Sequence, residues 1–200
     1  MVGRRMGSKK FPKPASYPDI DVELQIMTSK LDELSMTHEI WKAFPHNCRY
    51  EVSNYGRLRL TPVLSVVTDE HIYITPGKLC ALYERTHDQI TYMVEVGGVK
   101  SVHSAAYLVA ITFVEKPLLY TYPVHKDGCH FNDYVDNIMW SIEPEPTSST
   151  PYPIQCIEEG RTYDDILDIC IAMSLDPAHL IHAIINNEEY EGRHFKKDVR

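Results

Sequence analysis

The chain is predicted to fold as an α+β protein, with an antiparallel hairpin region first and helices towards its end. Three observations predict this. Short apolar–polar alternations recur at Tyr50–Val52, Ile72–Ile74 and Ile90–Val96, and Gly97-Gly98 reads as a hairpin turn after the last of them. The Ala-rich segment Ser104–Phe113 spaces Leu108, Val109 and Phe113 for one helix face. Asp164–Met173 and the run opened by Pro177 carry two further helical patterns joined near Ser174-Leu175-Asp176.

Residues 1–18 read as a basic, proline-rich arm. Arg4, Arg5, Lys9, Lys10 and Lys13 alternate with Pro12, Pro14 and Pro18, a composition that cannot build a core. The arm is either a strap for nucleic acid or another partner, with Lys9 and Lys10 among its cations, or a solvated tail. In residues 19–37 the first part alternates like a strand, and a short helix is expected at about 28–36. Residues 19–142 are taken as one unit, residues 143–153 as a linker with four prolines, and residues 154–200 as a helical C-terminal unit.

No apolar run approaches the roughly 20 residues a membrane span needs, so no membrane partner is expected. The N-terminus is basic with no apolar segment behind it, which does not read as a secretory signal. The five cysteines are scattered and contain no CxxC pair, which excludes a zinc knuckle of that spacing and suits reduced thiols in a cytosol. The net charge of −8 weighs against an affinity built on phosphate neutralisation, and favours a protein partner.

Two stretches carry chemistry. The first is Glu39-x-Trp41 followed by Tyr50-x-Val52-Ser53-Asn54-x-Gly56-Arg57-x-Arg59. Tyr50 and Val52 alternate on a strand, Asn54-Tyr55-Gly56 turns, and Leu58 and Leu60 resume the strand. Arg57 and Arg59 then project opposite Leu58, either towards phosphates or as plain surface arginines on a hairpin. The second stretch is Pro123-Val-His-Lys-Asp-Gly128, then Asn132-Asp133, Asp136-Asn137 and Trp140. A histidine beside a turn rich in Asp and Asn is a candidate proton acceptor.

The first stretch resembles the small module that precedes many phage HNH homing-endonuclease cores. The second resembles the ββα-metal core itself, and residues 154–195 resemble the C-terminal helix-turn-helix repeat of that family. The resemblance implies a small ββα core around His125, with His125 as general base and Asn137 as the residue that pins the loop. It also implies a divalent cation such as Mg²⁺, held by oxygen donors. This chain departs from the pattern at the metal. Val124 stands where the family has Asp or Asn, and the later ligand position falls on Pro146. Asp127, Asp133, Glu143 or Glu145 could supply oxygens from displaced positions. The family's His-Arg before the core falls on Ala106-Tyr107, and the C-terminal unit is crowded with Glu158, Glu159, Asp164, Asp165, Asp168 and Asp176.

The expectation is a catalytically degenerate HNH-like protein, of a phage, working in the host cytoplasm or in the virion as a protein-binding or structural component with no cofactor. Two alternatives stay open. One is an active Mg²⁺-dependent DNA endonuclease. The other is a non-cutting protein that binds duplex DNA through the arm and the Arg57 hairpin.

Overall fold

A computed structural model describes residues 9–12, 18–68, 71–82, 84–85 and 89–198. The fold is α+β, and its pairings are all antiparallel. In chain order the elements are β1 (Lys9–Pro12), α1 (Pro18–Asp32), β2 (Trp41–Ala43), β3 (Tyr50–Ser53), β4 (Leu58–Leu60), β5 (Val63–Thr68), β6 (His71–Thr75) and β7 (Lys78–Leu79). There follow β8 (Glu84–Arg85), β9 (Ile90–Val96), β10 (Val99–Ser104), α2 (Ala105–Phe113), β11 (Tyr122–His125), a 3-10 turn at Val135–Asn137 and β12 (Ile138–Ser141). The C-terminal part holds β13 (Ile154–Cys156), β14 (Arg161–Tyr163), α3 (Ile166–Met173), α4 (Pro177–Asn186) and β15 (Phe195–Lys197).

Five small sheets result, in the orders β1-β6-β5, β2-β3-β4-β7, β10-β9-β8, β11-β12 and β14-β13-β15. Local chemistry sets the turns between them. Val96 pairs with Val99, so Gly97 and Gly98 alone make the hairpin turn, both with positive φ. Ser104 caps α2 by accepting the Tyr107 N–H, and Asp176 caps α4 by accepting that of His179, with Pro177 in the first turn.

One apolar cluster runs from Phe44, Val52 and Leu58 through Leu108, Ile138 and Trp140 to Ile154, Ile166, Ile169 and Leu180. Helix α2 sits at its centre, and the small side chains of Ala105, Ala106 and Ala110 let β3, β9, β11 and β12 pack close around it. The C-terminal unit shares this core. His182 of α4 bonds the Thr37 carbonyl, and Asn186 Nδ2 donates to the Tyr55 hydroxyl at 3.1 Å. The chain direction turns by 112° between α3 and α4. Among the described residues no single helix is long and apolar enough to cross a membrane.

Four expectations are corrected, that of Arg57 and Arg59 last. The strand-like alternation at residues 20–26 lies within α1, because Leu24, Met27 and Leu31 repeat at helical spacing. Leu24 and Met27 pack on Ile74 and Leu31 is buried, while Val22 and Ile26 are exposed. The arm is not wholly without structure. Its residues 9–12 pair with β6, on a sheet edge that tolerates Pro12. The side chains of Lys9 and Lys10, and residues 1–8 and 13–17, lie outside the described residues. Residues 143–153 have no helix or strand, yet they lie against the core as a strap. The Thr150 N–H donates to the Gly128 carbonyl at 2.8 Å, Ser149 Oγ accepts the His130 N–H at 3.0 Å, and Tyr152 is buried.

Arg57 and Arg59 do not face phosphates, because the fold turns both inward. Each is only 6% exposed. Arg57 is ion-paired with Glu39, whose side chain is fully buried, and donates from Nη2 to the Leu34 carbonyl at 3.0 Å. Arg59 bridges Glu51 at 2.7 Å and Asp32 at 2.9 Å. Both guanidiniums lie over the Trp41 indole, Arg59 at 4.4 Å from the ring centroid. The Glu39, Trp41, Arg57 and Arg59 pattern is therefore an internal frame. Glu39→Ala strands the buried Arg57 charge, and a loss of about 3–5 kcal/mol in unfolding free energy is expected by urea titration. Arg59→Ala leaves the half-exposed Asp32 wet and costs less.

Candidate functional site

The site is built on the β11–β12 hairpin and the loop between its strands. His125 ends β11, paired with Ile138 of β12. Asn137 pins the loop. Its Nδ2 donates to Asp127 Oδ1 at 2.9 Å and to the Asn132 carbonyl at 2.8 Å, and its Oδ1 accepts the Asp127 N–H at 3.1 Å. Asp127 is consumed by the same loop, accepting also from the Cys129 N–H at 2.9 Å and from Asn132 Nδ2 at 2.8 Å. It does not reach His125.

Two other carboxylates do. Asp133 Oδ1 lies 3.2 Å from His125 Nε2, and Glu145 lies 3.0 Å from His125 Nδ1. Glu145 also accepts the His125 backbone N–H at 2.8 Å. The imidazole is 3% exposed and the Asp133 side chain 5%. Two ionised carboxylates, one on each ring nitrogen, are satisfied when both nitrogens donate, which favours the imidazolium. Burial alone would lower the His125 pKa. The hydrogen bonds to Asp133 and Glu145, with their charges, overcome this and raise it to about 9. Burial also pushes the Glu145 carboxyl up, but bonding to His125 holds it below the usual carboxylate range. In Asp133, enclosed on all sides, burial outweighs the pull of His125 and the carboxyl is pushed up. Glu145 is thus the secure anion of the pair.

Asp133 is placed by a neighbouring turn. Gly56, at φ +81°, meets it so closely that an added Cβ would lie 2.6 Å from Asp133 Cβ. The Asn54 carbonyl accepts the Val135 N–H at 2.8 Å beside this contact. His125, His130, Asp133 and Glu145 line a cavity of about 350 Å³ whose rim includes Ser104 and Gln89. His130 Nε2 sits 3.7 Å from Glu145.

Most of the candidate oxygen donors are already engaged or lie away from His125. Val124 is buried and aliphatic, Glu143 is exposed, and three of the four Asp133 and Glu145 oxygens contact the imidazolium. Among the described residues no group of three or more His, Cys, Asp or Glu is placed to hold a metal ion. Asp133 Oδ2 is the exception in this picture, a buried oxygen with no hydrogen-bond partner.

Sequence reasoning brought His125, Asn137 and Asp133 to one place. It also brought Asp127, which the structure turns into the loop, and it missed His130 altogether. It ranked Glu145 only as one of four displaced oxygens, because a glutamate between two prolines reads as linker. The strap's packing on the loop makes it an imidazole partner, and no local pattern announces that.

No protein-family model matches the chain, and no curated protein matches it. Among solved structures the chain is similar to one reported for DNA binding and cleavage by the HNH homing endonuclease I-HmuI. The identity is 17%, the match covers 80% of this chain and 99% of that one, and the TM-score is 0.37.

The clamp on His125 carries a pH signature. An unfolded histidine titrates near about 6.5. The raised folded value means that the stabilisation is complete below about 6.5 and is lost as pH climbs through about 9. The depressed Glu145 contributes above the ordinary carboxylate range and fails as pH falls through its folded value. Unfolding free energy should drop between pH about 6.5 and above 9 by on the order of 3 kcal/mol more than in His125→Gln. Urea titrations across that range measure it, and parallel curves would remove the clamp.

Proposed function

We propose that this is a catalytically degenerate HNH-endonuclease-like protein, of phage type, that acts by binding a protein partner instead of cutting DNA. The doubly bonded His125 supports the reading most directly. A general base needs a free lone pair on nitrogen, and both His125 nitrogens are committed to carboxylates. Those same carboxylates repel an approaching phosphodiester. The inward-facing Arg57 and Arg59 leave any duplex contact to the basic arm, and the net charge is −8.

An apolar surface supports the protein partner. Leu118 and Leu119 are 90% and 80% exposed at the tip of a turn, with Tyr120, Tyr122, Met139 and Ile142 also exposed along the β11–β12 hairpin. Leu119 holds a positive φ, a conformation that costs a branched side chain about 1–3 kcal/mol. Exposed apolar surface held at such a cost suits a contact made with another molecule.

A nicking assay on supercoiled DNA with Mg²⁺ or Mn²⁺ tests the reading. The wild type and His125→Ala are expected to give the same background. Robust nicking by the wild type that disappears in His125→Ala would overturn it.

A second reading, a live metal-dependent endonuclease, is favoured by one observation. The unpartnered Asp133 Oδ2 is a buried oxygen, its residue lining the same cavity as Glu145, that a divalent cation would satisfy. Under that reading calorimetry with Mn²⁺ shows binding that Asp133→Asn weakens at least about tenfold. Under the first reading it shows none with either protein, in the presence or absence of DNA.

A further inference from the structure

A second cavity, of about 420 Å³, lies where the module carrying Arg57 meets the turn between α3 and α4. The pairing that the module makes with Glu39 does not exhaust Arg57. Nε and Nη2 bond Glu39 and the Leu34 carbonyl, while Nη1 has no hydrogen bond among the described residues, and Arg57 lines the cavity. Across the same cavity stands Asp176. Its Oδ1 accepts from the His179 backbone and ring, and its Oδ2 carries no hydrogen bond among the described residues. The two groups sense each other, since the Arg57 charge helps hold the Asp176 carboxyl below its usual range, after the stronger pull of His179 has offset burial.

The walls define what fits. Leu58, Leu79, Leu82 and Tyr92 are apolar or aromatic, and the His179 and Tyr190 rings stack at 5.6 Å with 20° between their planes. The Tyr190 hydroxyl accepts the Asp176 N–H at 3.1 Å, so its own proton is free to donate. The charge balance excludes a simple anion. Glu39 already neutralises Arg57, and Asp176 and Glu191 add two carboxylates to the lining. A cation alone would leave the Nη1 donors unmet. The occupant that satisfies both sides is flat, uncharged and carries an acceptor beside a donor on one edge. Cavities of this size and mixed lining are typical small-ligand sites.

We propose that this cavity is a binding site for a nucleobase, with Arg57 Nη1 donating to a ring carbonyl or nitrogen and Asp176 Oδ2 accepting from the adjacent N–H. The base can arrive as a free nucleoside or splayed from a single strand, and the experiment separates these sources. The full chain is titrated with guanosine, cytidine, adenosine and thymidine, and separately with a short single-stranded oligonucleotide. Heat and tryptophan emission are followed, because one of the two indoles, Trp41, lies against Arg57. Saturable binding is expected for at least one nucleoside or for the oligonucleotide. Asp176→Asn keeps the helix cap and should weaken that binding at least about tenfold. Ala81→Trp, at an exposed position on the cavity lining, should block it without disturbing the core. Binding by the oligonucleotide alone identifies the splayed base as the source. No saturable binding by any probe, or binding that both variants leave unchanged, overturns the proposal.

Discussion

The side chain that Gly56 lacks governs the geometry of the histidine site. The turn Asn54-Tyr55-Gly56 presses its backbone against Asp133, and the Asn54 carbonyl takes the Val135 N–H in the same contact. Asp133 is thereby pushed beneath the β11–β12 hairpin, where its carboxylate meets His125. A bulkier residue at position 56 would displace the loop and strain the turn, since φ there is left-handed. The module and the hairpin loop are consequently one mechanical unit, although Gly56 and Asp133 stand 77 positions apart in sequence.

Burial works both ways on this arrangement, opposing the charge on the ring while strengthening the pull of the two carboxylates that keeps it. In water, an imidazole between two carboxylates would be an ordinary weak ion pair. Enclosed at a few per cent exposure, the same group is held charged well above neutral pH, and the carboxylates divide unequally. Glu145, at the edge, remains readily ionised, whereas Asp133, deep inside, resists it. The loop beneath is rigid for a different reason. Asn137 and Asp127 satisfy one another and three backbone groups, so few polar atoms there are left to compete for His125.

Much of the fold was legible in sequence because its signals are local. Gly97-Gly98, the Ser104 cap, the Pro177 start and the Tyr50–Gly56 turn each specify their own conformation within a few residues. What could not be read depends on partners far along the chain. Nothing near Arg57 or Arg59 announces that Glu39, Glu51 and Asp32 will draw them inward, and a hairpin arginine is normally solvated. Helix α1 was hidden by coincidence, since Ile20, Val22, Leu24 and Ile26 satisfy a period of two while Leu24, Met27 and Leu31 satisfy the helical one. Glu145 was hidden by its prolines, which describe a stretch without secondary structure but are silent on where that stretch lies.

The strap carrying Glu145 has a mechanical implication. Apart from the Glu145 bonds to His125 and the buried Tyr152, it is fastened by single hydrogen bonds at Ser149 and Thr150, and most of its residues are exposed. Lifting it off the surface withdraws one of the two anions that keep the buried imidazole charged. The ring would then surrender a proton at a lower pH than before. Tension on an external tether and the ionisation of an internal group are in this way the same coordinate, read at its two ends.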